Sequence, residues 1–135
     1  MPITVEAMVR APLETVWRCW TTPEDIMAWN AASDDWHTTA AEVDLRPGGK
    51  FRSRMEAKDG SMGFDFEGDY TEVEPMRRIV AVFGGRALEV SFAETPQGVR
   101  VTEVFDPETT HPEEMQRQGW QAILDRFARH AEAQA

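Results

Sequence analysis

The chain reads as an α+β domain: a curved antiparallel sheet of about six to seven strands, covered by a long C-terminal helix, with two short helices after the first strand. Three observations predict this. From Pro112 to Ala131 apolar residues recur at helical spacing. From Trp36 to Phe105 the apolar period is two, broken by proline- and glycine-bearing turns. Those turns are of hairpin length, which requires antiparallel neighbours. No linker, repeat or low-complexity segment divides the 135 residues, so residues 1–135 are read as a single domain.

In chain order, Ile3, Val5, Ala7 and Val9 alternate with Thr4, Glu6, Met8 and Arg10 as a half-buried first strand. Ala11-Pro12 opens a helix whose apolar side is Leu13, Val16, Trp17 and Trp20. Thr22 is placed to cap a second short helix, with Pro23, Glu24 and Asp25 in its first turn. Residues 31–35 read as loop. Val43 and Leu45 lead to the Pro47-Gly48-Gly49 turn, and Phe51, Ser53 and Met55 share one face of the returning strand. Phe64, Phe66, Gly68 and Tyr70 face one way on the next strand, while Asp65, Glu67 and Asp69 face the other. Residues 79–83 form a mostly apolar strand. Leu88, Val90 and Phe92 mark the strand after Gly84-Gly85, and Val99, Val101 and Phe105 the last. In the closing helix Met115, Gly119, Trp120, Ile123, Leu124, Phe127, Ala128 and Ala131 form the apolar face, and Pro112 suits its first position. About 20 residues make a rod of roughly 30 Å, enough to cross a small sheet.

Fourteen Lys and Arg against 24 Asp and Glu give a net charge of −10. Such a surface repels nucleic-acid phosphates and anionic lipid. No apolar run approaches the ~20 residues of a membrane helix. The N-terminal residues lack a basic segment followed by an apolar one, so no signal peptide is expected. Cys19 is the single cysteine, which excludes an intrachain disulfide and fits a reducing compartment. The expected location is the cytoplasm.

Five stretches, APLETVWRCWTTPEDIMAW, LRPGGKFRSRM, FEGDYTEVEPMRRIV, VRVTEVF and GWQAILDRFARH, resemble, in this order, the family named after the C-terminal domain of the activator of the Hsp90 ATPase. That family sits within the START-like (SRPBCC, Bet v 1-like) superfamily. The resemblance covers nearly the whole chain. It implies a helix-grip fold with an apolar or amphipathic pocket under the last helix. Many such domains bind ligands and some relatives are cyclases. The eukaryotic co-chaperone carries a separate N-terminal domain for the chaperone's middle region, which this sequence lacks, so an Hsp90 interaction is not expected.

A curved sheet around one helix leaves a cleft at one end, a default ligand site. Trp36, Phe51, Met55, Phe64, Phe66, Tyr70, Phe83, Phe92, Gly119, Trp120 and Ile123 are the residues expected to border it. Phe64 and Phe66 should meet Trp120 across the cavity. Gly119 would thin the helix for a ligand or a strand. Tyr70 could orient a ligand through its hydroxyl or act as an acid. No catalytic residue, cofactor or metal is assigned. Asp65, Glu67 and Asp69 read as a solvated strand face rather than a calcium site. His37, His111 and His130 lack zinc-ligand spacing, and Cys19 reads as a buried structural thiol. The function expected is binding of a small apolar or amphipathic molecule, with homodimerisation left open. One alternative is a cyclase- or hydratase-type enzyme acting on a polyketide-like or aromatic substrate. It would need an ionisable pair in the cavity, drawn from Tyr70, Asp34, Asp35 and His37. The other is a protein-interaction module related to Hsp90 co-chaperones.

Overall fold

The computed structural model of the chain describes residues 1–135. Its elements are β1 (Ile3–Val9), α1 (Leu13–Thr21), α2 (Pro23–Trp29), β2 (Trp36–Val43), β3 (Lys50–Ala57), β4 (Gly63–Glu74), β5 (Arg78–Phe83), β6 (Arg86–Thr95), β7 (Gly98–Phe105) and α3 (Glu113–Ala133). The seven strands form one antiparallel sheet in the order β1-β7-β6-β5-β4-β3-β2, so the first strand closes on the last. This is the helix-grip α+β fold.

Pro112 and Pro12 both sit at N-cap positions, one residue earlier than the first helical turn. Thr22 occupies the N-cap of α2, but its side chain makes no capping hydrogen bond; Pro23 fills the first helical position instead. Leu124, Phe127 and Ala131 are fully buried against the sheet's inner face, as their spacing requires. The apolar face of α3 is rotated slightly from the expected one, because Met115 is largely exposed and Gln116 is buried.

The α3 helix also closes the sheet's first edge. An edge strand presents carbonyls with no neighbouring strand to receive. Arg117 Nη1 donates to the Thr4 carbonyl at 2.7 Å and Gln121 Nε2 to the Glu6 carbonyl at 3.0 Å, so two of these on β1 are occupied. At the other end α1 and α2 pack beneath the sheet. Trp20, Trp29, Phe92 and Phe127 form an aromatic cluster there, with ring centroids 4.9–6.0 Å apart. That cluster fills one end of the curve and leaves the other open.

Candidate functional site

The open end is a cleft of about 830 Å³ between α3 and the concave face of the sheet. Strand parity builds most of its wall. Phe51, Ser53 and Met55 reach it from β3, Phe64, Phe66 and Tyr70 from β4, Ala81 and Phe83 from β5, and Leu88 and Val90 from β6. Trp20, Ile26 and Trp29 form its floor, and Trp120 and Ile123 its helical side. At Gly68, opposite Phe51 in the register, a Cβ would strike the Val82 carbonyl and come within 3.0 Å of the Phe51 ring. The glycine leaves room for that ring beside β4, 5.2 Å from Tyr70 and 5.5 Å from Phe66. Trp120 stacks on Phe105 at 3.8 Å and meets Phe66 edge-on at 6.2 Å, so helix and sheet touch across the cavity.

The polar groups inside are few. On β7, Val99, Val101, Glu103 and Phe105 are all buried, so one acid stands in a row of hydrophobes. Its neighbours in the register are Val5 and Val90, both buried. Burial alone pushes the Glu103 carboxyl up to about 8, with no cation or hydrogen bond opposing it. No fully buried polar side-chain atom in the fold lacks a partner, so the carboxyl's oxygens open onto the cavity. The Tyr70 phenol is likewise pushed upward, first by burial and then by the nearby Asp44 carboxylate.

A polar rim surrounds the mouth. His111 Nδ1 pairs with Glu108 at 2.7 Å. Buried Gln116 holds this segment, accepting from the Glu108 N–H at 2.9 Å and donating to the Glu108 and His111 carbonyls at 3.1 and 2.9 Å. Arg86 donates from Nε to the Asp106 carbonyl and lies over the Phe83 ring at 4.5 Å.

Of the residues expected at the cleft, Phe51, Met55, Phe64, Phe66, Tyr70, Phe83, Trp120 and Ile123 border it. Trp36, Phe92 and Gly119 do not. Trp36 lies at the start of edge strand β2, against Phe64. Phe92 has inward parity, but the space before it is taken by Trp17 at 5.3 Å and Trp20 at 6.0 Å. Gly119 faces neither cavity nor strand, since a Cβ added there meets nothing within 4 Å. Of the candidate acids and bases, Asp34 pairs with Arg126 at 2.7 Å on the surface, and Asp35, hydrogen-bonded to Ser33, is held below the usual carboxylate range. His37, on β2, is not part of the cavity wall. Only Tyr70 of that set reaches the cavity, and Glu103, absent from it, does too.

Away from the cleft, three helices bring together residues far apart in sequence. His130 Nε2 and Asp25 Oδ1 are 2.8 Å apart, and a ligand-type atom of each lies with one of Cys19 inside a 4.8 Å group. The Cys19 thiol is raised by burial first and by the Asp25 charge second. A raised thiol keeps its proton, consistent with a structural role.

The model of the family described as Activator of Hsp90 ATPase homolog 1-like protein matches residues 10–132, nearly the whole fold just described. The chain belongs to this family. An AHSA1-like protein from Aeromonas hydrophila, solved by NMR, is 50% identical over 99% of this chain and 94% of its own, with a TM-score of 0.94. The Chr148 protein from Cytophaga hutchinsonii is 46% identical over 98% and 92% of the two chains, with a TM-score of 0.83. Protein NE0264 from Nitrosomonas europaea, 22% identical over 99% and 96% with a TM-score of 0.86, shares the fold alone. No curated protein matches the chain. AHSA1-like membership and the START-like fold therefore account for the architecture, and no helix is long and apolar enough to cross a membrane.

Proposed function

We propose that the cleft takes up a small apolar or amphipathic molecule, whose polar end meets Glu103. One observation carries this reading: a buried carboxyl without a partner in the chain opens onto an 830 Å³ cavity. No group of the chain satisfies its oxygens, which face the cavity, so only what enters the cavity can do so. The remaining wall is chiefly aromatic and aliphatic, which suits an apolar body.

The test is a titration with Nile red, a neutral apolar dye, read by its fluorescence and by the melting temperature. Binding to the native state alone should raise the latter. Ser53 projects from the middle of β3 into the cavity, so Ser53→Trp should fill it and weaken dye binding at least about tenfold. A variant that still melts cooperatively yet binds the dye as wild type does would overturn the reading.

A second reading rests on the same acid. A carboxyl titrating near 8, in one cavity with Tyr70, is tuned for proton transfer, as a cyclase- or hydratase-type enzyme requires. Incubation with 1-phenylbutane-1,3-dione in deuterium oxide tests it. Deuterium should enter the activated carbon faster with wild type than with Glu103→Gln. Equal rates would leave binding as the function.

A further inference from the structure

We propose that the cleft is a cation site: its occupant carries a basic nitrogen, whose ammonium group pairs with Glu103 while an aromatic-sized apolar body fills the rest. This rests on the ligand-binding reading above and adds the charge of the ligand.

The argument begins with what the chain fails to supply. Glu103 is 5% exposed and has no cation or hydrogen-bond donor of its own. The two basic side chains of the lining are engaged elsewhere. Arg86 is held by the Asp106 carbonyl at 3.0 Å and by the Phe83 face, and His111 by Glu108 at 2.7 Å. A carboxyl so placed either keeps its proton or receives a positive charge from outside.

Three features favour the second course. Aromatic rings line the cavity, and a cation seated over the face of one gains from the ring quadrupole, most when desolvated. The Tyr70 and Ser53 hydroxyls border the same space, and each can accept from an ammonium, which has three N–H donors and no acceptor. The field around the cleft is negative as well. Glu42, Asp65 and Glu67 stand at its margin on the exposed outer face of β2 and β4, Glu42 and Asp65 paired with Arg52, within a chain of net charge −10. That field draws in cations and turns away fatty acids and other anions. Besides Glu103, the titratable and charged groups facing the cleft or standing at its mouth are thus Tyr70, Arg86, Glu108 and His111; Glu42, Asp65 and Glu67 border it from the opposite, exposed strand face, and β1, β5 and α3 contribute none.

The proton balance is explicit. Near neutrality the empty site holds Glu103 protonated, and the free amine is already an ammonium. Forming the ion pair therefore releases the Glu103 proton to solvent, approaching one per complex.

Three probes sharing one ring test this: 2-naphthylmethylamine, 2-naphthylmethanol and 2-naphthoic acid, each measured by calorimetry in two buffers of different ionisation heat. The amine should bind most tightly and the acid least. Amine binding should release a proton, and its affinity should rise about tenfold from about pH 6 to pH 7, because the carboxyl is easier to ionise. In Glu103→Gln the amine should lose at least about tenfold in affinity and all proton release, while the alcohol is unaffected. If the alcohol binds as tightly as the amine and no proton is released, Glu103 acts as a neutral donor. The cation site is then overturned, while the cleft remains a ligand site. If Nile red binds and none of the probes displaces it, the cation site is also overturned. If Nile red does not bind either, the ligand-binding reading falls with it. The comparison among probes uses the wild-type chain, so it holds whether or not the variant folds.

Discussion

Glu103 shows how a single residue can set the pH response of a whole domain. Its carboxyl titrates at about 8 in the fold, against an unfolded value near 4.5. Between those values the native state holds a proton that the unfolded chain has given up, so stability falls as pH rises. The contribution is fully present below about pH 4.5 and is lost through about pH 8, at roughly 1.4 kcal/mol per unit. Glu103→Gln should remove this slope. In urea unfolding across pH 5–9, the variant should gain on wild type as pH rises; parallel curves would show that the carboxyl is not desolvated. Gly119 makes the opposite case. It lies in mid-helix with normal helical space around it, so it contributes only the entropic cost of glycine. Gly119→Ala should stabilise the domain by about 1 kcal/mol without altering dye binding. A loss of stability would mean a hidden close contact. Both residues also mark what the sequence could disclose. Glu103 shares the inward parity of Val101 and Phe105, so period two already pointed it into the core; a glutamate is so rarely buried that the pattern is read past. Gly119 was misplaced because helical spacing identifies a stripe but not its rotation about the axis.

At the level of elements, strands were more legible than helices. Alternation fixes a strand's two faces outright, and the residues of β3 and β4 expected at the cleft lie there, Phe51, Met55, Phe64, Phe66 and Tyr70 among them. Phe92 has the right face but the wrong end, since α1 fills the space above it. No strand pattern carries that information. Contacts between helices were not legible at all: Cys19, Asp25 and His130 meet only because α1, α2 and α3 converge. Along α3, Phe127 is fully buried and packs edge-on against Trp20 and Trp29 at 4.9 and 5.0 Å. Phe127→Ala should cost roughly 3–5 kcal/mol, read from denaturant midpoints at constant m-value. A loss under about 1 kcal/mol would mean that the helix is not seated on this cluster.

For the molecule as a whole, charge is the dominant fact. Basic side chains are largely spent on local pairs, as Arg78 is on Glu72, Glu74 and Glu89, leaving an acidic exterior. The domain should therefore show no binding to duplex DNA or to single-stranded RNA at physiological salt, measured by fluorescence anisotropy. Micromolar affinity with a steep salt slope would contradict this.

The closure of β1 on β7 has a bearing on how the chain reaches this state. Ile3 and Phe105 are partners, so the sheet is completed by a pairing between its first and last strands. Until β7 exists, Ile3, Val5 and Val9 have no strand to cover them, and the Thr4 and Glu6 carbonyls await α3. Local hairpins among β2 to β7 can form early, but joining β1 must wait for a loop closure of about a hundred residues. Such topologies refold over milliseconds to seconds rather than microseconds. Among the strand pairings, that of β1 therefore carries the largest closure cost, and the unpaired edge of the sheet is where a half-folded chain would meet its neighbours.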